Sequence, residues 1–308
     1  MRASVARIFR GDARLETNVV RYETSRLASR VRHRLWMIPV PTVGTWKLSS
    51  VKIIHHPRVY LVGRPSLDEG ELARFLNDHG IGDWKSDTSI SAEVLPEVAG
   101  RVCYMSFAKP RPGGNQAYIS RIREVKHGSV FEHSVWNFLI TGVSRSFTHE
   151  LVRHRAGFGY SQLSQRYVDE SVADFVEPDC IANDPDLHEV WQGAVQQAQE
   201  AYVKLVSGLQ EKFASVEDKT SRRKLARQAA RSVLPNATET KIFVTANARA
   251  LRHFIELRCN EHAEVEIRTV AAQMLEILQR EAPSIFGDYE WVDLPDGTRA
   301  ATTPHSKV

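Results

Sequence analysis

The 308-residue chain predicts an α+β fold, a helix-rich single domain around a modest mixed or antiparallel sheet. Three observations lead there. Segments with apolar residues at i, i+3 and i+4 clearly outnumber alternating ones, and no internal repeat is evident. The strand-like stretches are short and interleaved with helices. The composition, 42% hydrophobic and 25% charged, is that of a globular chain able to bury a sizeable core.

Residues 1–50 carry nine Arg and one Lys against Asp12, Glu16 and Glu23, a charge of +7 that leaves the remainder of this +4 chain at −3. The basic character therefore belongs to one end, which argues against a duplex-binding body. This stretch reads as a basic extension. Disorder, an amphipathic targeting sequence and a start codon assigned too far upstream all fit its Arg- and Ser-rich, acid-poor composition. From Val51 the pattern becomes orderly. Val51–His56 and Val59–Val62 read as short strands, Leu67–His79 as a helix closed by Gly80, and Ser91–Phe107 as a second amphipathic segment. Arg111-Pro-Gly-Gly-Asn115 signals a turn, and Gln116–Lys126 a helix ended by Gly128. Ser134–Thr141 alternates and reads as a strand covered on both faces, after which Ser144 opens a helix running toward Arg153.

Asp184-Pro185 is an N-cap followed by a first-turn proline, and the apolar stripe from Leu187 to Leu209 predicts a helix of about seven turns, core or inter-subunit in purpose. Ser221–Val233 is a further helix, Lys241–Ala246 a strand, and Asn247–Arg258 and Ala263–Arg280 helices. Arg258 ends an apolar stripe, where arginines usually snorkel to solvent. Beyond Pro283 periodicity fades, and residues 291–308 read as a polar tail.

The longest apolar runs fall far short of the ~20 residues that span a bilayer, and no secretory h-region follows the first arginines. Cys103, Cys180 and Cys259 are far apart, so they predict neither a disulfide framework nor a zinc ribbon; each reads as a small buried hydrophobe in a cytoplasmic protein. His127 and His133 flank Phe131-Glu132 in an order unlike a zinc helix, and no metal is expected. The phosphate-loop, dinucleotide and nucleophile-elbow motifs are absent too.

Chemistry concentrates in Glu150–Tyr167. Arg153 and Arg155 stay charged at any working pH and present planar donor forks for phosphate or carboxylate oxygens, while successive helical positions point about a hundred degrees apart. One arginine could thus serve each of two ligands. The plainer alternative is a solvated helix end. Beyond it, Gly157 and Gly159 allow unusual backbone angles, and Ser161, Gln162, Ser164, Gln165 and Arg166 expose hydroxyls, amides and a further charge in a loop.

Arg153-His-Arg155 followed by Ser164-Gln-Arg166-Tyr167 resembles the signature of the flavin-dependent thymidylate synthases. Four further blocks agree in order: Ser106-Phe107, His127 to His133, Ala230-Arg231-Ser-Val-Leu-Pro235, and Asn247-Ala-Arg249 continuing to Arg258 and His262-Ala263. The likeness spans residues 90 to 290, so 51–290 is expected to be the catalytic domain. Three departures stand out. Eight residues instead of seven separate Arg155 from Ser164, Glu150 stands where glutamine is common, and His253 where asparagine is common.

The resemblance implies a homotetramer with shared active sites that methylates dUMP to dTMP, with FAD as cofactor and methylenetetrahydrofolate and NADPH as co-substrates. Carried over residue by residue, it places Arg258 against the uracil edge as the catalytic group. Glu150, Arg153, Gln162, Ser164, Gln165, Arg166 and Arg231 join it in binding dUMP. FAD would contact Ser106, His127, Ser129, Glu132, Arg153, His154, Arg155, Gln162, Asn247, Arg249, His253 and His262. None of the cysteines stands in a nucleophile's context, so hydride from reduced flavin would supply what a thiolate does elsewhere. Two alternatives remain: a related flavin enzyme moving a different one-carbon unit onto a pyrimidine nucleotide, and a nucleic-acid-binding protein acting through its basic arm.

Overall fold

The longer helices and the two central strands lie where the sequence places them. The structure, a computed structural model, describes residues 51–108 and 112–308. The basic extension over 1–50 and Arg111 of the expected turn lie outside the described residues. The strands are β1 (Ile53–Ile54), β2 (Arg58–Gly63), β3 (Val135–Ser144), β4 (Phe158–Gln162), β5 (Phe175–Val176), β6 (Glu239–Asn247), β7 (Glu290–Asp293) and β8 (Arg299–Thr302). Between them lie α1 (Glu69–Asp78), α2 (Ser91–Val102), α3 (Gly114–Glu124), α4 (Arg145–Leu151), α5 (Asp179–Ala182), α6 (Pro185–Lys212), α7 (Lys219–Ala230), α8 (Ala248–Arg258), α9 (Val265–Glu281) and α10 (Pro283–Phe286).

The main sheet is antiparallel, with strand order β2-β3-β6-β4, while β1 and β5 form a separate parallel pair and β7 and β8 a hairpin. One face of the sheet, with Trp136, Phe138, Ile140, Ile242 and Val244, is fully buried. It shares a core with Leu251, Phe254 and Ile255 of α8 and with Val270, Met274 and Leu278 of α9. The opposite face of β3 is only half-buried, so the expectation of full cover on both sides holds for one face of the chain.

A bulge interrupts β3 where Gly142 adopts φ +67°. It delivers Ser144, whose hydroxyl caps α4 by accepting from Phe147 N, and whose own N–H and O–H both donate to Glu266 of α9 at 2.6 Å. Helix α4, carrying Glu150, is thereby fixed to the sheet and to α9 at its first residue.

Helix α6 starts as predicted, with Asp184 accepting from Asp186 N and Leu187 N ahead of Pro185. Most of its stripe is not core, however: Val195 and Tyr202 are buried, whereas Leu187, Val190 and Leu205 are exposed. Two further expectations need correction. Residues 291–308 are not a loose polar tail: β7 and β8 pair, Trp291 packs against the core, and Val308 is buried. Alternation there is masked by charged residues on the outer face and by the Pro-Asp-Gly turn. Cys103 and Cys180 are exposed, and of the three only Cys259 is buried, because the first two fall at a helix end and on the short surface helix α5.

Candidate active site

Helix α4 ends at Leu151, and the turn after it buries His154 against Phe158, Phe254 and His253. Arg258, the last residue of α8, does not snorkel. Its Nε donates to His154 Nε2 at 3.0 Å and its Nη1 to Glu150 Oε2 at 2.7 Å. The first of these bonds requires an imidazole with a free lone pair on Nε2, and the surroundings enforce it. Burial, then the charge of Arg258 and then that of His253, lower the His154 pKa to about 4. Glu150 of α4, His154 of the turn after it and Arg258 of α8 thus form one hydrogen-bonded group in which arginine is oriented from both sides.

The stretch after Arg155, expected as a loop, is the edge strand β4. Phe158–Gln162 pairs antiparallel with Ala246–Ile242 of β6. Only Gly157 takes an unusual angle, φ +74°, while Gly159 lies in the regular ladder. Glycine, serine and glutamine hid the strand from a propensity reading, because pairing at a sheet edge outweighed weak local preference. Tyr160 ties the strand back, its hydroxyl donating to the carbonyls of Leu151 and His154. The strand is also a spacer: at the rise of an extended chain its five residues span roughly 16 Å, with Arg153–Arg155 before one end and Ser164–Arg166 after the other.

At the far end of β4 cations accumulate. Arg145 Nη2 donates to Leu163 O, and burial lowers its pKa, partly offset by Glu170 and reinforced by Arg231. The Nε atoms of Arg145, Arg166 and Arg227 are buried without partners. Arg227 is paired through its terminal nitrogens with Tyr167 O and Asp169, so the charge left to meet an anion here is chiefly that of Arg145, Arg166 and Arg231. Ser164 Oγ accepts from Arg166 N at 3.4 Å, Gln162 Nε2 donates to Thr148 Oγ1 at 3.0 Å, and Arg231 is exposed next to Arg145. Arg145 was missed in the sequence, although one signal existed: a cation in the first turn of a helix opposes the macrodipole and needs another reason to be there.

Two cavities flank the other end. One, of about 460 Å³, is lined by Arg153, His154, Arg155, Phe158, His253 and Arg258. The second, of about 430 Å³, is lined by Glu132, Gly157, Asn247, Arg249, Lys307 and Val308, and shares Ala156, Ala250 and His253 with the first. Asn247 spends its side chain capping α8 through Ala250 N, and Arg249 pairs with Glu132. His127 and Ser129 are exposed on the short 3-10 turn that also carries Glu132, and neither lines these cavities. Ser106 and His262 do not either; Ser106 engages Arg101 through its carbonyl, and the His262 side chain is 87% exposed. Within one chain the structure therefore gathers Glu132, Glu150, Arg153, His154, Arg155, Asn247, Arg249, His253 and Arg258 around the two adjacent cavities or the Arg258 group. Among the described residues no cluster of His, Cys, Asp and Glu could hold a metal ion.

The family described as "Thymidylate synthase complementing protein" matches residues 87–284. The chain belongs to the flavin-dependent thymidylate synthase family. Relatives of that name from Mycolicibacterium gilvum and Corynebacterium diphtheriae are each 50% identical over 224 and 226 residues, covering 72% of this chain and 89% of theirs. The one from Mycobacterium tuberculosis is 49% identical over 223 residues. Among solved structures, the UMP/dUMP methylase PolB from Streptomyces cacaoi, bound with 5-Br dUMP, superposes with a TM-score of 0.56 at 22% identity. That likeness covers 77% of this chain and 96% of PolB, and it supports the fold. The chain is thus an enzyme of a methyltransferase family, and the Arg153 to Arg166 segment on which the resemblance rested is its β4 edge.

Proposed function

We propose that the protein methylates dUMP to dTMP with methylenetetrahydrofolate as carbon donor, NADPH as reductant and FAD as cofactor. The observation that carries this is the pair of sites at the two ends of β4: clustered arginines at one end, and two adjacent cavities beside the His154–Arg258 group at the other. The first suits a nucleotide phosphate, held by Arg166 and Arg231 with Ser164 and Gln165 and, by its position, Arg145. The second suits an extended dinucleotide, since the two cavities lie side by side and share Ala156, Ala250 and His253. Bound FAD would supply hydride in place of a protein nucleophile. Cys259 agrees with that division, its thiol pushed up to about 11 by burial and so not a thiolate near neutrality.

Arg258 would lie along the uracil edge, where a fixed guanidinium favours negative charge developing on the ring. Glu150 and His154 hold that guanidinium in place, the first as its ion-pair partner and the second as a neutral acceptor. Arg153 and Gln162 would stand between the two ligands, and Ser164 would position the nucleotide without attacking it. The fold likeness to a UMP/dUMP methylase keeps a second reading open, transfer to a related pyrimidine nucleotide or of a different one-carbon unit. The test is the visible spectrum of the purified protein, followed by NADPH oxidation with and without dUMP and mass spectrometry of the product. A yellow protein forming dTMP supports the proposal. A colourless protein that FAD cannot reconstitute sinks it, and a different methylated nucleotide selects the second reading.

A further inference from the structure

Residues 303–308 bring Lys307 and Val308 to the cavity lined by Asn247 and Arg249, although nothing in the sequence marked them as part of a site. They follow β8 and are strapped to α8 and its surroundings by side chains: Thr303 Oγ1 donates to Asp288 Oδ2 at 2.6 Å, and Arg252 Nη2, itself paired with Asp288, reaches His305 O at 3.4 Å. The strap ends pressed against Gly128, where a Cβ would fall 2.4 Å from the Val308 carbonyl carbon. Glycine there is what lets the strap approach.

Lys307 is the unusual member. Its φ is +58°, a region that side-chain-bearing residues seldom occupy, and the conformation is fastened by its N–H donating to Glu256 Oε2 at 3.0 Å. The side chain is exposed and lines the same cavity as Glu132, Asn247, Arg249 and His253. Among the described residues its ammonium takes part in no ion pair, whereas the neighbouring Arg249 is already paired with Glu132. An uncommitted cation held at a cavity wall by a strained backbone suits an anionic group of the occupant.

We propose that the strap Thr303–Val308 is a wall of the cofactor site and that Lys307 binds a phosphate of the bound flavin dinucleotide. This rests on the flavin reading above. The experiment measures the FAD dissociation constant of the full-length protein, stripped of flavin, by quenching of flavin fluorescence at low and high salt. It compares the unchanged chain with Lys307→Arg, Lys307→Ala and Lys307→Glu. Expected is an affinity close to that of the unchanged chain for Lys307→Arg, about tenfold weaker binding for Lys307→Ala, and weaker still for Lys307→Glu. The loss in Lys307→Ala should shrink as salt rises, because the interaction is between charges at an open cavity. Lys307→Ala binding within twofold of the unchanged chain would overturn the proposal, as would a loss shared equally by Lys307→Arg or one indifferent to salt, which would mean packing alone. Failure of the unchanged chain to bind FAD would instead count against the flavin reading, so the two outcomes are separable.

Discussion

Arg258 is held by a carboxylate on one side and a neutral imidazole on the other, and these two contacts decide what the guanidinium can do. Its remaining donors are free to face a ligand, and its position at the end of α8 fixes their direction. Arg258→Ala is expected to lower turnover by about a hundredfold or more, the range for loss of one preorganised donor. The flavin content, read from visible absorbance, should be unchanged, and full activity would remove Arg258 from the mechanism. His154 gives a second, pH-dependent prediction. Its folded pKa is near 4 against an ordinary 6.5, so the unfolded chain takes up a proton at a pH where the folded chain does not. The stability it contributes is complete above about 6.5 and is lost as pH falls toward 4. Comparing unfolding temperatures across that window, His154→Gln should lose less on acidification than the unchanged protein. Equal losses would show that the acid sensitivity has another source.

Among the elements, β4 decides the geometry of the site, and its entrance is Gly157. Alanine there would meet two obstacles, a φ of +74° and a Cβ placed 2.7 Å from Ala250 Cβ and 2.8 Å from Asn247 Nδ2. Gly297 is a useful control, since its φ is +78° but nothing lies within 4 Å of a built Cβ. Gly297→Ala should cost only the backbone strain, about 1–2 kcal/mol. Gly157→Ala should cost that and a further overpacking penalty of about 1–3 kcal/mol, and should lower flavin retention as well. Similar unfolding midpoints for the two variants would mean that the turn relaxes freely around Gly157.

At the scale of the molecule, a single chain leaves apolar surface that its own core does not use. Tyr60, Val62 and Phe243 are exposed on the outer face of the main sheet, and Leu187, Val190 and Leu205 on α6. Exposed apolar stretches of this kind mark association surfaces more often than chance. Ser106, Ser129, His127 and His262 also stand away from the cavities within one chain. The family resemblance implies a homotetramer, and we propose that neighbouring chains cover such surfaces and supply what one chain lacks. Sedimentation equilibrium is expected to give about four times the 34.8 kDa chain mass. A monomer retaining full flavin affinity would leave those four residues without a role in the cofactor site.

The sequence by itself determined the longer helical elements, the α6 cap at Asp184-Pro185 and the family, and it singled out Glu150 to Arg166 as the stretch where chemistry concentrates, because periodicity, capping and spaced arginines are local signals carried by the residues themselves. Tertiary structure decided the rest. Gly-Tyr-Ser-Gln becomes a strand only because β6 offers an edge to pair with, and Arg258 turns inward only because Glu150 and His154 wait there. The approach of Lys307 to the cavity beside Arg249 is visible only once Asp288, Arg252 and Glu256 bring residues 303–308 back to α8. In each case the determining partner lies far away in the chain, and no local pattern encodes a contact whose other half is remote.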